Sequence, residues 1–296
     1  MTTLKIVADA WIASVHQPSG SLGRIRYWVE QFGDVAIDSI SEDDVDIAIG
    51  RLIKRGKLQG GIGIYSGSPP TGEPLKGSTV NRYVSTLASL FKYAKHLKLL
   101  PRSYIPPTKG VVKEPEPVDP DKYFRTDEVE KLVKVSKALD NRWGKLAALI
   151  ILGFHTGLRI SSLKKICWGD IDWDGGTFSV AVTKNGRPHV AVLTPDCLRE
   201  LTRIKCGSSD ELVFKSYRCA KAFDHRKLWK KVCDEAGFEG RTFHWLRHGC
   251  GTALASAGIS QAQMMSVMGH RTLVASARYI HSNVEERRIV VSQVFS

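Results

Sequence analysis

Between Thr79 and His96 the apolar residues Val80, Tyr83, Val84, Leu87, Leu90, Phe91 and Ala94 recur at three- and four-residue steps. That spacing predicts an amphipathic helix. Two shorter amphipathic segments precede it, Leu22 to Phe32 and Ser41 to Leu52, the second with Ser41 as a plausible N-cap and acidic residues in its first turn. The stretch Gly56 to Gly77 is rich in Gly, Pro and Ser and reads as a long loop, with a small hairpin around Ile62 to Tyr65. Pro101, Pro106, Pro107, Pro115, Pro117 and Pro120 then interrupt a charged stretch, which predicts an extended linker and a domain boundary over 106–122.

The second half opens with Thr126 as N-cap ahead of Asp127, Glu128 and the periodic Val129, Leu132 and Val133. A strongly apolar helix is predicted from Lys145 to His155, ended by Thr156-Gly157. The period then changes to two: Phe178, Val180 and Val182 lie on one face, Ser179 and Ala181 on the other. Asn185-Gly186 precedes His189 to Leu193, the signal of a hairpin with a tight turn. The remainder reads helical again. The expected fold is mostly α with a small antiparallel β-sheet, in two domains, 1–105 and 123–296.

The 296-residue chain carries 43 Lys+Arg against 30 Asp+Glu, a formal net charge of +13. This fits a polyanionic partner, because neutralising phosphates releases counterions, and equally a merely basic protein. The stripe of the long helix opposite its apolar face, Arg82, Ser85, Ser89, Lys92 and His96 with Lys95 beside it, fits a phosphate backbone or a solvated face. The longest apolar run, Leu146 to Phe154, is too short to cross a bilayer, and Met1 to Ala10 has no signal-peptide core. The six cysteines form no C-x-x-C pair, so zinc-ligand spacing is absent and reduced thiols are expected. No P-loop appears, so nothing points to NTP hydrolysis.

Four local signals carry the candidate chemistry. In Thr156-Gly157-Leu158-Arg159 the glycine can end the incoming helix and leave Arg159 at the turn into the next, placed to grip a phosphate. Lys184 stands at the hairpin tip, on the parity of Phe178 and Val180, where it can reach inward as a proton donor. His244 and Arg247 lie one helical turn apart on one face, with Thr242 as a cap. Ser260 to Gln263 spells a capping box for a helix that Gly269 ends, His270 follows, and Thr272 can cap a helix carrying Tyr279. Each signal alone also fits a surface arginine, a solvated lysine, a chance H-x-x-R or a core tyrosine.

Together, T-G-L-R, the hairpin lysine, H-x-L-R-H, G-H and a tyrosine nine residues later resemble the tyrosine recombinases: phage integrases, Xer proteins and Cre-like enzymes. The resemblance covers the whole second domain, and more weakly Thr79-Val80-Asn81-Arg82 through Tyr93-Ala94 looks like the family's helical core-binding domain. No separate arm-binding domain is expected before it. The resemblance implies that Tyr279 attacks the scissile phosphate, that Arg159 and Arg247 hold the non-bridging oxygens with His244 and His270, and that Lys184 protonates the leaving 5′ oxygen. It implies DNA contacts at Arg82, Lys92, Lys95 and Arg187, with neither metal, cofactor nor ATP. The implied partners are double-stranded DNA with specific recombination sites, a homo-tetramer built by exchange of the apolar tail 280–296, and accessory DNA-bending or directionality proteins. The implied setting is the cytoplasm, on the nucleoid when DNA-bound. One position departs from the family: an acidic residue commonly sits three places after the first arginine, and here it is Ser162. A type IB topoisomerase would share the chemistry, and a non-catalytic DNA-binding regulator the fold. The helical first domain and the tail favour a recombinase over the former, the complete residue set over the latter.

Overall fold

The computed structural model describes residues 1–14, 19–59, 69–116, 121–140, 143–180, 188–216, 221–269 and 272. The chain divides into two compact units, Met1–Val118 and Asp119–Ser296. Among the described residues no helix is long and apolar enough to cross a membrane.

The first unit holds α1 (Leu4–Ser14), α2 (Ser19–Phe32), α3 (Glu42–Arg55) and α4 (Gly77–His96) around a core that includes Leu4, Ile25, Trp28, Leu52, Leu87, Leu90 and Phe91. α1 was not marked by periodicity. Its first amides are satisfied from afar, Leu4 N–H by the Val35 carbonyl and Lys5 N–H by that of Gly33, a cap no neighbouring residue announces. α3 starts as the sequence predicts: Ser41 Oγ accepts from Asp44 N–H at 3.1 Å, and Asp44 Oδ2 accepts from Ser41 N–H at 3.0 Å. The long loop before α4 zips its arms together, with Thr71 N–H donating to Lys57 O and Gln59 N–H to Pro69 O. The hairpin expected around Ile62 to Tyr65 lies outside the described residues.

α4 buries Val80, Leu87, Leu90, Phe91 and Ala94 of the predicted stripe, leaves Tyr83 and Val84 half-buried, and also buries Asn81 and Thr86. Asn81 grips the backbone of Glu114 from both sides, Nδ2 donating to Glu114 O and Oδ1 accepting from Glu114 N–H, each at 2.9 Å. The 3₁₀ turn Pro107–Lys109 packs on α3 and α4. Residues 106–116 of the expected linker are therefore docked on the first unit, and the boundary falls at Val118. The prolines fixed an extended backbone without revealing what it would lie against.

The second unit is assembled on α6 (Lys145–Thr156), whose residues are all buried except the half-buried His155. α5 (Thr126–Leu139), α8 (Pro195–Ile204) and α10 (His244–Ser256) pack around it. α7 (Ile160–Leu163), α9 (Arg226–Ala236) and α11 (Gln261–Met268) complete the helices described. Thr126 is the first helical residue of α5 rather than its cap. Arg125 is the cap residue, and its N–H is taken by the Glu128 carboxylate at 2.9 Å.

The sheet is antiparallel, in the order β1 (Ile171–Asp172), β2 (Thr177–Val180), β3 (His189–Val192). In the β2–β3 register Phe178 faces Ala191 and Val180 faces His189. Phe178, Val180, Ala191 and Leu193 are buried while Ser179, Val190 and Val192 face out, so the predicted period of two holds over the described strands. Val182, Lys184 and the Asn185-Gly186 turn lie outside the described residues.

Candidate active site

α6 ends where the sequence places its stop. Gly157 takes φ 61° and ψ 13°, the left-handed region that a Cβ penalises. A Cβ there would also lie 3.0 Å from Cys250 Sγ and 3.1 Å from Met268 Cγ. Gly157→Ala is therefore expected to cost about 1–3 kcal/mol, read as a lower unfolding temperature; an unchanged transition would contradict this account of the turn.

The turn delivers Arg159 as the extended N-cap residue of α7, half-buried. Its carbonyl accepts from the N–H groups of Ser162 at 2.8 Å and Leu163 at 3.1 Å. Its guanidinium makes no hydrogen bond or ion pair to another described residue, which leaves its five N–H donors for a ligand. Ser162, half-buried on α7, adds no charge beside it.

Arg247 is placed quite differently. It is 4% exposed, and its Nη1 donates to the carbonyl of Gly157 and, at 3.0 Å, to that of Met268. One guanidinium thus draws together the T-G-L-R turn, the H-x-x-R helix and the end of α11. Below it Cys250, Met264 and Met268 form a small apolar cluster, and burial pushes the Cys250 thiol up to about 12 despite the Arg247 charge.

α10 is pinned at its start. Arg241 lies 5.2 Å, 4.8 Å and 5.3 Å from the ring centroids of Phe124, Phe238 and Trp245, and pairs with Glu128 at 2.9 Å. Thr242 does not cap the helix. Phe243 holds that position, and Thr242 contributes its carbonyl to Trp245 N–H. From this fixed end His244 projects exposed, while Arg247 one turn on is buried. His248, the last residue of the H-x-L-R-H motif and given no role from the sequence, meets the ring of His244 edge-on at 4.8 Å. The i,i+4 spacing was the available signal.

α11 begins with the predicted capping box, Ser260 Oγ accepting from Gln263 N–H and Gln263 Oε1 from Ser260 N–H, and ends at Gly269 with φ 62°. The structure therefore ties Arg247 to the turn that precedes Arg159, with His244 exposed one turn before Arg247 on α10. Lys184, Arg187, His270 and Tyr279 lie outside the described residues. In the first unit Arg82 and Lys92 are exposed on α4, whereas Lys95 is half-buried with Nζ donating to Tyr104 O at 2.8 Å. Among the described residues no group of three or more His, Cys, Asp or Glu side chains is gathered to hold a metal ion.

The phage integrase family matches residues 122–286, more than half of the chain. The chain belongs to the phage integrase family. This family of tyrosine recombinases also supplies its relatives. The type 1 fimbriae regulatory protein FimE of Escherichia coli K12 is 29% identical over 147 residues, covering 46% of this chain and 73% of FimE. Tyrosine recombinase XerC of Lactobacillus delbrueckii subsp. bulgaricus is 21% identical over 285 residues, covering 91% of this chain and 88% of XerC. The solved Tn1549 transposon integrase, in complex with transposon right end DNA, superposes with a TM-score of 0.74 at 17% identity over 100% of both chains. At that identity the likeness establishes the integrase fold, including the helical first unit.

Proposed function

We propose that the protein is a site-specific DNA recombinase that cuts and rejoins strands through Tyr279. The phenolate oxygen attacks the scissile phosphorus, the bond to the 5′ oxygen breaks, and that oxygen leaves as a hydroxyl after taking a proton from Lys184. The phosphate stays on the enzyme as a 3′-phosphotyrosyl ester. Attack by a 5′-hydroxyl of the partner duplex reverses the step and yields a Holliday junction, and a second round resolves it. The bond energy is kept in the ester, so resealing needs neither ATP nor a metal.

The observation that carries this reading is the Arg247 clamp, which joins the Gly157 turn to the end of α11 in a chain of the phage integrase family. Positive donors fixed around one point suit phosphoryl transfer, where charge develops on the equatorial oxygens. Arg159 and Arg247 bind those oxygens, and His244 and His270 donate further hydrogen bonds. A free tyrosine ionises near about pH 10, and a cationic pocket favours the phenolate that attacks. Residues 1–118 act as the core-binding domain, with Arg82 and Lys92 on its α4 face toward the phosphates. The substrate is double-stranded DNA carrying specific sites, moved as part of a phage or other mobile element.

The test uses nicked suicide substrates, in which the freed 5′ fragment diffuses away and traps the adduct. Recovery of a protein–DNA ester at a defined sequence, with the adduct mapped to Tyr279, is expected. Relaxation of supercoiled plasmids without any defined site would instead place the chemistry with the topoisomerases. The apolar tail Ile289, Val290, Val291, Val294 and Phe295 docks on a neighbouring protomer to link four subunits. Removing the residues after Arg288 is expected to abolish synaptic tetramers and recombination while sparing single-site binding. Unchanged tetramer assembly on DNA would refute that role for the tail.

A further inference from the structure

The loop that leaves α4 is exposed yet fixed at both ends. Leu97 N–H donates to Tyr93 O, Lys98 N–H to Lys95 O and Leu99 N–H to Ala94 O, at 2.9, 3.1 and 2.9 Å, which closes the helix. Tyr104 N–H then donates to Pro101 O, its ring stacks on Phe91 at 6.0 Å, and its carbonyl takes the Lys95 ammonium. Lys98 stands at φ 60°, the single non-glycine residue at positive φ among the described residues. Helix ends of this kind ordinarily place glycine there, because a Cβ is disfavoured in that region. Side chains held in such a conformation cluster at functional sites.

Between this loop and the end of α1 lies an open groove of about 880 Å³. Its floor is apolar, made by the half-buried rings of Trp11 and Tyr93 with Leu99 and Leu100 beside them. Tyr93 is held in place by its hydroxyl, 2.6 Å from Ser14 Oγ. The rim is cationic. Lys98 and Arg102 are exposed, pair with no carboxylate among the described residues, and are joined by Lys92 and His96 from α4. Lysine and histidine at a helix C-terminus complement its dipole, but that effect fades within the last turn, and Arg102 lies well past the Leu97 cap. Among the described residues no acidic side chain lines the groove.

A DNA duplex would meet this rim with its phosphates and leave the apolar floor uncovered, since its outer surface is convex and charged. A peptide that carries leucine or phenylalanine between aspartates and glutamates satisfies both parts. We propose that the groove docks an acidic, amphipathic segment of a partner protein. Its carboxylates pair with Lys98 and Arg102, while an apolar side chain settles against Trp11 and Leu99. The loop is already fixed, so little ordering opposes binding. The groove lies wholly within the first unit and uses no residue assigned to cleavage, so it stands independently of the Tyr279 chemistry.

The probe is a phage-displayed library of short random peptides selected on the full chain at physiological salt, with affinities of the selected peptides then measured by fluorescence anisotropy. Selected peptides are expected to combine Asp or Glu with Leu, Phe or Trp. Lys98→Gly removes the charge and relieves the backbone together. It is expected to weaken these peptides on the order of three-fold while keeping the unfolding temperature at or above that of the wild type. Leu99→Ser, which changes no charge, is expected to weaken them about ten-fold, and Arg102→Gln about as much as Lys98→Gly. Peptides without acidic enrichment, or unchanged affinity in Lys98→Gly and Leu99→Ser, would overturn the proposal. Equal weakening of peptide and single-stranded DNA binding by Leu99→Ser would give the groove to nucleic acid and overturn it as well.

Discussion

Tyr279→Phe is expected to bind the recombination sites with unchanged affinity and to form no covalent adduct. The substitution removes one oxygen from a ring that remains the same size, so binding through the residues proposed to contact DNA, Arg82, Lys92 and the two arginines of the second unit, is expected to be untouched. On the proposed mechanism the attacking atom is gone, and with it the phosphotyrosyl ester. The expected loss is complete rather than graded, because the covalent bond is proposed to form to that one oxygen. Gel-shift titration and a denaturing-gel assay for protein-linked DNA on one set of suicide substrates provide both halves of the result. A persistent adduct in Tyr279→Phe would move the nucleophile to another residue.

The two arginines should fail in different ways. Losing a charged donor to a developing phosphorane costs on the order of 3 kcal/mol, or 10²–10³-fold in cleavage, and this applies to Arg159→Ala and Arg247→Ala alike. Their folding consequences diverge. Arg159 is half-buried and bonds no other described residue through its guanidinium, so its removal should change stability by less than about 0.5 kcal/mol. Arg247 is buried and satisfies the Gly157 and Met268 carbonyls. Its removal strands two acceptors out of water and should destabilise the second unit by about 2–4 kcal/mol. Denaturant unfolding followed beside single-turnover cleavage distinguishes them. Equal stability losses in the two variants would contradict the clamp.

Local chemistry made much of this legible. The N-cap at Ser41, the capping box at Ser260, the stop at Gly157 and the alternation through Phe178 and Val180 depend on residues a few positions apart, and the structure keeps each of them. What the sequence could not reveal depends on distant partners. α1 is capped by carbonyls around Gly33 and Val35, and residues 106–116 are fixed by Asn81 and by packing on α3 and α4. The motif reading also placed His244 and Arg247 on one helix face without distinguishing an exposed histidine from a buried arginine, since spacing carries no information about what packs over each position. Thr126 and Thr242 look like caps by residue type, yet the caps sit one residue earlier at Arg125 and one later at Phe243.

The structural duty of Arg247, beside the catalytic one proposed for it, also constrains how such a protein can change over generations. A descendant that gave up strand exchange and kept only DNA binding would be free to lose Arg159 early, since little of the fold depends on it. Arg247 would persist much longer, held by folding after catalysis had ceased. An intact H-x-x-R helix in a relative is thus weak testimony to activity, and an intact T-G-L-R turn is the better witness.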